Sequence, residues 1–197
     1  RMNLAVLPAA SATAACSLGT AGAQGSDRIT KRVYDVASQL TKTQVAVGTT
    51  VAADDETNTY TLNSKLATVT DGENNRTTFE YDGHDRLVKT RYPVSAVGAN
   101  ASSTTDFEQL TYDAAANVTA RRLRDGQTIN YGFDNLNRVM LKTLPAPELA
   151  VNISYDVAGR VLSSTRGDGV AAYYVYDALG RTLAENQQWA SMSFDND

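Results

Sequence analysis

The sequence predicts an all-β chain of tandem antiparallel β-hairpin repeats that together form a curved sheet. Three observations predict it. An aromatic–Asp dipeptide returns at near-constant spacing, apolar and polar residues alternate with period two before each aromatic, and turn chemistry recurs at two places in the unit.

The spacing is the strongest of the three, because a repeat period governs the whole fold. After each aromatic and its Asp, the fifth position holds a basic or amide side chain and the sixth is usually β-branched or Leu. Tyr155-Asp156-Val157-Ala158-Gly159-Arg160-Val161 and Tyr176-Asp177-Ala178-Leu179-Gly180-Arg181-Thr182 are the clearest copies. Tyr81-Asp82 with Arg86 and Phe133-Asp134 with Arg138 keep the same order. Weaker copies start at Tyr34-Asp35, Tyr60 and Tyr112-Asp113, with Gln39, Lys65 and Asn117 at the fifth position. Thr61 stands where the other copies have Asp.

The aromatics lie 26, 21, 31, 21, 22 and 21 residues apart. The two long intervals carry extra loop, placed at Val45 to Glu56 and Pro93 to Thr105; hairpin ends absorb such length at small entropic cost. About seven repeats are expected over residues 29–197, with Phe194-Asp195 opening an eighth in which the chain ends.

The strands follow from the alternation. Ile129, Tyr131 and Phe133 point one way and Asn130 and Gly132 the other; Thr77, Phe79 and Tyr81 alternate with Thr78 and Glu80, and Val151, Ile153 and Tyr155 with Asn152 and Ser154. In the stretch from Ala172 to Tyr176, Tyr173 and Val175 interrupt the alternation, which predicts a strand covered on both sides. A second strand follows each turn, as from Arg86 to Arg91, Arg138 to Thr143 and Arg160 to Thr165.

At one end of each hairpin, the Asp after the aromatic can accept a backbone hydrogen bond two residues on, and Gly159 or Gly180 can take positive φ. Asp71-Gly72, Asp125-Gly126 and Asp168-Gly169 mark the other end, and their dipeptide favours type I′ turns. The recurrent Arg can pair with an Asp of its own copy or of a neighbour.

Composition narrows the function classes. With 42% hydrophobic residues the chain has enough apolar material for a core, and a net charge of −4 with scattered basic residues excludes nucleic acid as a partner. Cys16 is the single cysteine and His84 the single histidine, so neither an internal disulfide nor a zinc cage is expected, and no cofactor. No run reaches the roughly 18 consecutive apolar residues of a membrane-spanning helix. Residues 1–28 read as a low-complexity linker, or as the remnant of a signal segment.

His84 occupies a turn position that holds Ala, Leu or Asn in other copies, which speaks against catalysis. Each repeated Asp has a turn-forming explanation that competes with any glycosidase-like carboxylate pair. No catalytic residue is assigned. Ten tyrosines and Trp189 offer a second reading, a cell-surface carbohydrate-binding or adhesion module, since amphipathic rings stack on sugars. A solvent-facing row of rings beside amides and carboxylates favours that reading, and rings packed among strands disfavour it.

The dipeptide, the downstream Gly-Arg and the period together resemble the RHS or YD repeat of bacterial polymorphic toxins, toxin-complex cage subunits and animal teneurins. The likeness spans residues 29–197, and its repeat-defining positions are Tyr34, Asp35, Tyr81, Asp82, Arg86, Tyr112, Asp113, Phe133, Asp134, Arg138, Tyr155, Asp156, Gly159, Arg160, Tyr176, Asp177, Gly180 and Arg181. The resemblance implies a strip of hairpins spiralling into a hollow YD-shell, secreted or associated with the bacterial cell envelope. Its partners would be neighbouring repeats of the same polypeptide and an enclosed effector or toxin. The family's closing Asp-Pro-x-Gly-Leu sequence does not occur in the chain, so no self-cleaving aspartate is assigned. Fourteen strands about 4.8 Å apart make a strip of roughly 65 Å. A shell around a 100-residue cargo of radius of gyration near 13 Å needs a circumference above about 130 Å, so these repeats are expected to cover about half a turn.

Overall fold

The computed structural model describes residues 29–188. Residues 1–28, Trp189 and Phe194-Asp195 lie outside them, and with them the linker or signal segment and the eighth repeat. The chain divides into two compact units at Phe107/Glu108, inside a strand.

Among the described residues there is no helix. The first unit holds β1 (Lys31–Tyr34), β2 (Leu40–Val45), β3 (Ala53–Tyr60), β4 (Leu66–Asp71), β5 (Arg76–Tyr81), β6 (Leu87–Pro93) and the first half of β7 (Ser102–Tyr112). The second holds the rest of β7, then β8 (Val118–Arg122), β9 (Thr128–Phe133), β10 (Val139–Thr143), β11 (Val151–Tyr155), β12 (Val161–Arg166), β13 (Ala171–Tyr176) and β14 (Thr182–Gln188). Every strand lies beside its chain neighbours, so no crossover is needed and contacts stay between adjacent repeats.

The repeat governs the strand ends. Each odd-numbered strand ends on an aromatic: Tyr34, Tyr60, Tyr81, Tyr112, Phe133, Tyr155 and Tyr176. Each even-numbered strand starts at the sixth residue after it: Leu40, Leu66, Leu87, Val118, Val139, Val161 and Thr182. These two residues face one another across the ladder in every hairpin, from Tyr34↔Leu40 to Tyr176↔Thr182. The register shifts by one residue beside each pair, as between Ser154 and Tyr155, which places a β-bulge at the same point of every hairpin. The second strands therefore begin one residue later than expected, because Arg86, Arg138 and Arg160 close the turn.

Three other expectations change. The turns at Asp125-Gly126 and Asp168-Gly169 are not type I′, since only the glycines have positive φ, 90° and 87°. At Asp71-Gly72 the positive φ belongs to Asn74. All three instead use a three-residue loop closed by a left-handed residue: the N–H of Leu123 donates to Gln127 O at 2.8 Å and that of Gly126 to Leu123 O at 3.0 Å, and Arg166–Val170 and Asp71–Asn75 repeat the scheme. One added loop residue explains the change, because a two-residue type I′ turn requires positive φ at both central positions.

The expected core is absent in the usual sense. Among the described residues only Ala171 and Asn58 are buried, and nothing stacks as a second layer on either unit's strands closely enough to bury large side chains. Half-burial comes instead from side chains lying along adjacent strands. Tyr173 and Val175 are 43% and 46% exposed, so β13 is not covered on both sides; Ala172, Tyr174 and Tyr176 take the partly covered face. On β11 the alternation appears directly, with Val151, Ile153 and Tyr155 half-buried and Asn152 and Ser154 exposed.

The insertions are shorter than predicted, residues 46–52 and 94–101, because strands take up the flanks. The second folds back on the turn before it: Gly98 N–H donates to Asn75 Oδ1 at 3.1 Å, Asn74 Nδ2 to Gly98 O at 2.9 Å, and Asn100 N–H to Asn74 O at 3.0 Å.

Candidate functional site: the aromatic–Asp turns and their neighbours

The turn after Tyr81 shows why Asp recurs. Asp82 N–H donates to Arg86 O and Asp85 N–H to Asp82 O, both at 3.0 Å, which closes the loop backbone. The carboxylate then fills the middle. Its Oδ1 accepts from the N–H groups of His84 at 2.9 Å and Arg86 at 3.0 Å, and its Oδ2 accepts from Arg86 Nε at 2.7 Å. A side chain one methylene long is the right reach for an N–H two residues on.

Asp134, Asp156 and Asp177 make the same set with Arg138, Arg160 and Arg181. Asp35 takes the N–H groups of Ala37 and Gln39, and Asp113 those of Ala115 and Asn117, with Asn117 Nδ2 reaching Asp113 Oδ2 at 2.9 Å. Thr61 explains its own exception: its Oγ1 accepts from Lys65 N–H at 3.1 Å, one of the bonds an Asp would make, while the backbone loop closes as elsewhere. The Arg–Asp pairs are thus within a copy, between residues four apart.

These bonds to the ionised form depress the carboxyl pKa values. Arg86 holds Asp82 down to about 2, first through its side-chain hydrogen bond. Asp134, Asp156 and Asp177 are lowered chiefly by the backbone N–H of Arg138, Arg160 and Arg181, and by their side chains next. Asp71 is lowered by the backbone N–H of Asn75, and Asp168 falls to about 2 against the Arg166 side chain. Carboxylates held in the charged form are poor general acids, which suits a structural part.

The aromatic joins one repeat to the one before. Tyr60 OH donates to Leu40 O at 2.8 Å, Tyr81 OH to Leu66 O at 2.9 Å, Tyr155 OH to Val139 O at 2.8 Å and Tyr176 OH to Val161 O at 2.9 Å. Each acceptor is the sixth-position residue of the preceding copy. Burial raises the Tyr81 phenol, which keeps this donor protonated. The fifth-position Arg works in the same direction: Arg138 lies 4.4 Å from the centroid of the Tyr155 ring and Arg160 4.6 Å from that of Tyr176. The sequence pattern located these residues but not this tyrosine–carbonyl stitch, whose only prior signal was the preference for Tyr over Phe.

His84 is exposed in its turn, and its backbone, not its ring, carries the contact to Asp82. Among the described residues no group of three or more His, Cys, Asp or Glu is placed to hold a metal ion. No helix among them is long and apolar enough to cross a membrane.

Residues 60–97 match the family model described as RHS Repeat. The match takes in Tyr81, Asp82 and Arg86, the turn whose bonds are complete. Solved structures agree on the fold over most of the chain. The crystal structure of TcdB2-TccC3-Cdc42 aligns with a TM-score of 0.64 at 13% identity, covering 82% of this chain and 9% of that one. TcdB2-TccC3 aligns at 0.63 and 14% identity, covering 86% and 10%. Residues 60–97 are thus an RHS repeat, and most of the rest of the chain shares the fold of these structures. The Tc holotoxin pore of Photorhabdus luminescens gives 0.59 at 17% identity, with 80% of this chain and 9% of that one covered. No curated protein matches. The chain spans about a tenth of the length of the structures it resembles. What it shares with them is the fold.

Proposed function

We propose that this RHS segment is a structural wall: part of a secreted or envelope-associated bacterial shell that encloses a C-terminal toxin or effector and helps deliver it, with no reaction of its own. One observation carries the reading. The strands are ordered purely by chain sequence and almost nothing is buried, so the stabilising contacts run to the preceding and following hairpins. Aliphatic side chains at the turn tips, Val36, Leu62, Leu136, Val157 and Leu179, are largely exposed, as suits a segment covered by further polypeptide. The repeated carboxylates and the phenols of Tyr60, Tyr81, Tyr155 and Tyr176 are committed to turns and backbone carbonyls. That leaves scaffold work as their role and does not favour a glycan-binding row.

The test is protection. In the longer polypeptide that contains this segment, protease should cut the effector slowly while the repeats are folded and rapidly once urea unfolds them. Equal rates in both states would remove enclosure from the account, though not the hairpin fold.

A further inference from the structure

We propose that each hairpin reads the one after it through a single shared slot between their turns, and that the pair of residues at this slot sets which hairpin can follow which. This goes beyond the wall reading and holds whether or not the sheet encloses anything.

The slot adjoins the fourth residue after the aromatic. That residue has positive φ in all seven copies: Ser38 at 62°, Ser64 at 61°, Asp85 at 60°, Ala116 at 66°, Asn137 at 59°, Gly159 at 83° and Gly180 at 80°. Five of them are not glycine. Backbone conformation favours glycine at this position without requiring it, and at Gly159 and Gly180 a second cause adds to it.

The preceding hairpin supplies it. Arg138 lies over the Tyr155 ring and directs Nη1 to Asp156 O at 3.5 Å, and a Cβ on Gly159 would stand 3.8 Å from that nitrogen. Arg160 repeats the arrangement on the next hairpin, with Nη1 3.4 Å from Asp177 O and 3.5 Å from a Cβ on Gly180. A methyl group fits at these distances; a longer side chain would have to displace the guanidinium. At Asn137 and Asp85, which carry longer polar side chains at the fourth position, the contact is made from that residue's own side. Asn137 Oδ1 accepts from Asn117 Nδ2 at 2.8 Å, and Asp85 Oδ1 accepts from Asn63 Nδ2 at 3.0 Å. At these four turns the slot is filled either by an Arg reaching forward onto a Gly-bearing turn, or by an amide meeting an Asn or Asp that reaches back.

A double-mutant cycle in the whole chain tests the rule by urea unfolding. Gly159→Asn and Arg138→Asn should each lower the midpoint, while the double variant, which recreates the Asn117/Asn137 pair, should unfold no earlier than Arg138→Asn alone. Gly159→Ala combined with Arg138→Asn should instead show additive shifts, since a methyl neither fills the slot nor bonds. Should the single Asn variant not fold, the reverse exchange, Asn117→Arg with Asn137→Gly, serves equally. Each of those two substitutions should lower the midpoint alone and recover part of the loss together. Additive shifts in both exchanges would overturn the rule and reduce the fourth position to a local turn residue.

Discussion

The hydroxyl of Tyr155 donates to the main-chain carbonyl of Val139 at 2.8 Å, tying the end of the first strand of one hairpin to the start of the second strand in the hairpin before it. Tyr176 and Val161 repeat the bond one unit on, at 2.9 Å. Tyr155→Phe should therefore cost about 0.5–1.5 kcal/mol, read as a lower urea midpoint, with a similar loss for Tyr176→Phe. Phe133 already lacks the hydroxyl, so Phe133→Tyr is the matching gain to measure; no change in any of the three would show that the rings act by packing alone.

Acid should loosen the turns within a defined window. Asp82 and Asp168 titrate near 2 in the folded chain, below the ordinary carboxylate value of about 3.9. A depressed folded pKa gives stability that is fully present above the unfolded value and is lost as pH falls through the folded one. Unfolding midpoints should be flat above about pH 5 and fall from about pH 4 towards pH 2. Asp82→Asn should flatten part of that fall, because its amide has no charge to lose.

Gly159→Ala forces a methyl-bearing residue to φ of 83° and should cost about 1–2 kcal/mol through left-handed strain. Ala116→Gly, at φ of 66°, should stabilise by the same reasoning. Thermal denaturation followed by circular dichroism decides both signs.

Removing residues 156–176 joins Tyr155 to Asp177 and takes out one whole period. The shortened chain should keep the β spectrum and fold with a lower midpoint, as expected of an array stabilised by nearest neighbours. Removing residues 156–166 breaks the period and should abolish cooperative unfolding.

His84→Ala should leave stability within about 0.5 kcal/mol of the parent, as for an exposed substitution without side-chain partners. A hydrolytic activity that vanished in this variant would contradict the scaffold reading.

The fold class was legible because the information is local. Period-two alternation and Asp at a fixed place specify strands and turns within a span of about 21 residues, and strands ordered by chain sequence need no long-range information. The aromatic at each strand end and the Arg closing each turn could be named from the pattern. The turn type at Asp125-Gly126 could not be, because Asp-Gly suits both two- and three-residue loops and the strand register chooses between them.

The sequence by itself determined that Tyr81 to Asp177 would form hairpins with Asp in the turns. Only the tertiary structure decided that Arg138 spans two repeats, binding Asp134 of its own turn while covering Tyr155 of the next. It also decided that the apolar side chains stay half-buried along adjacent strands in place of a core. The physical reason is distance: turn bonds join residues two to four apart and leave a mark in every copy, whereas the stitch and the Arg clamp join residues 15 to 20 apart and depend on how adjacent strands are registered.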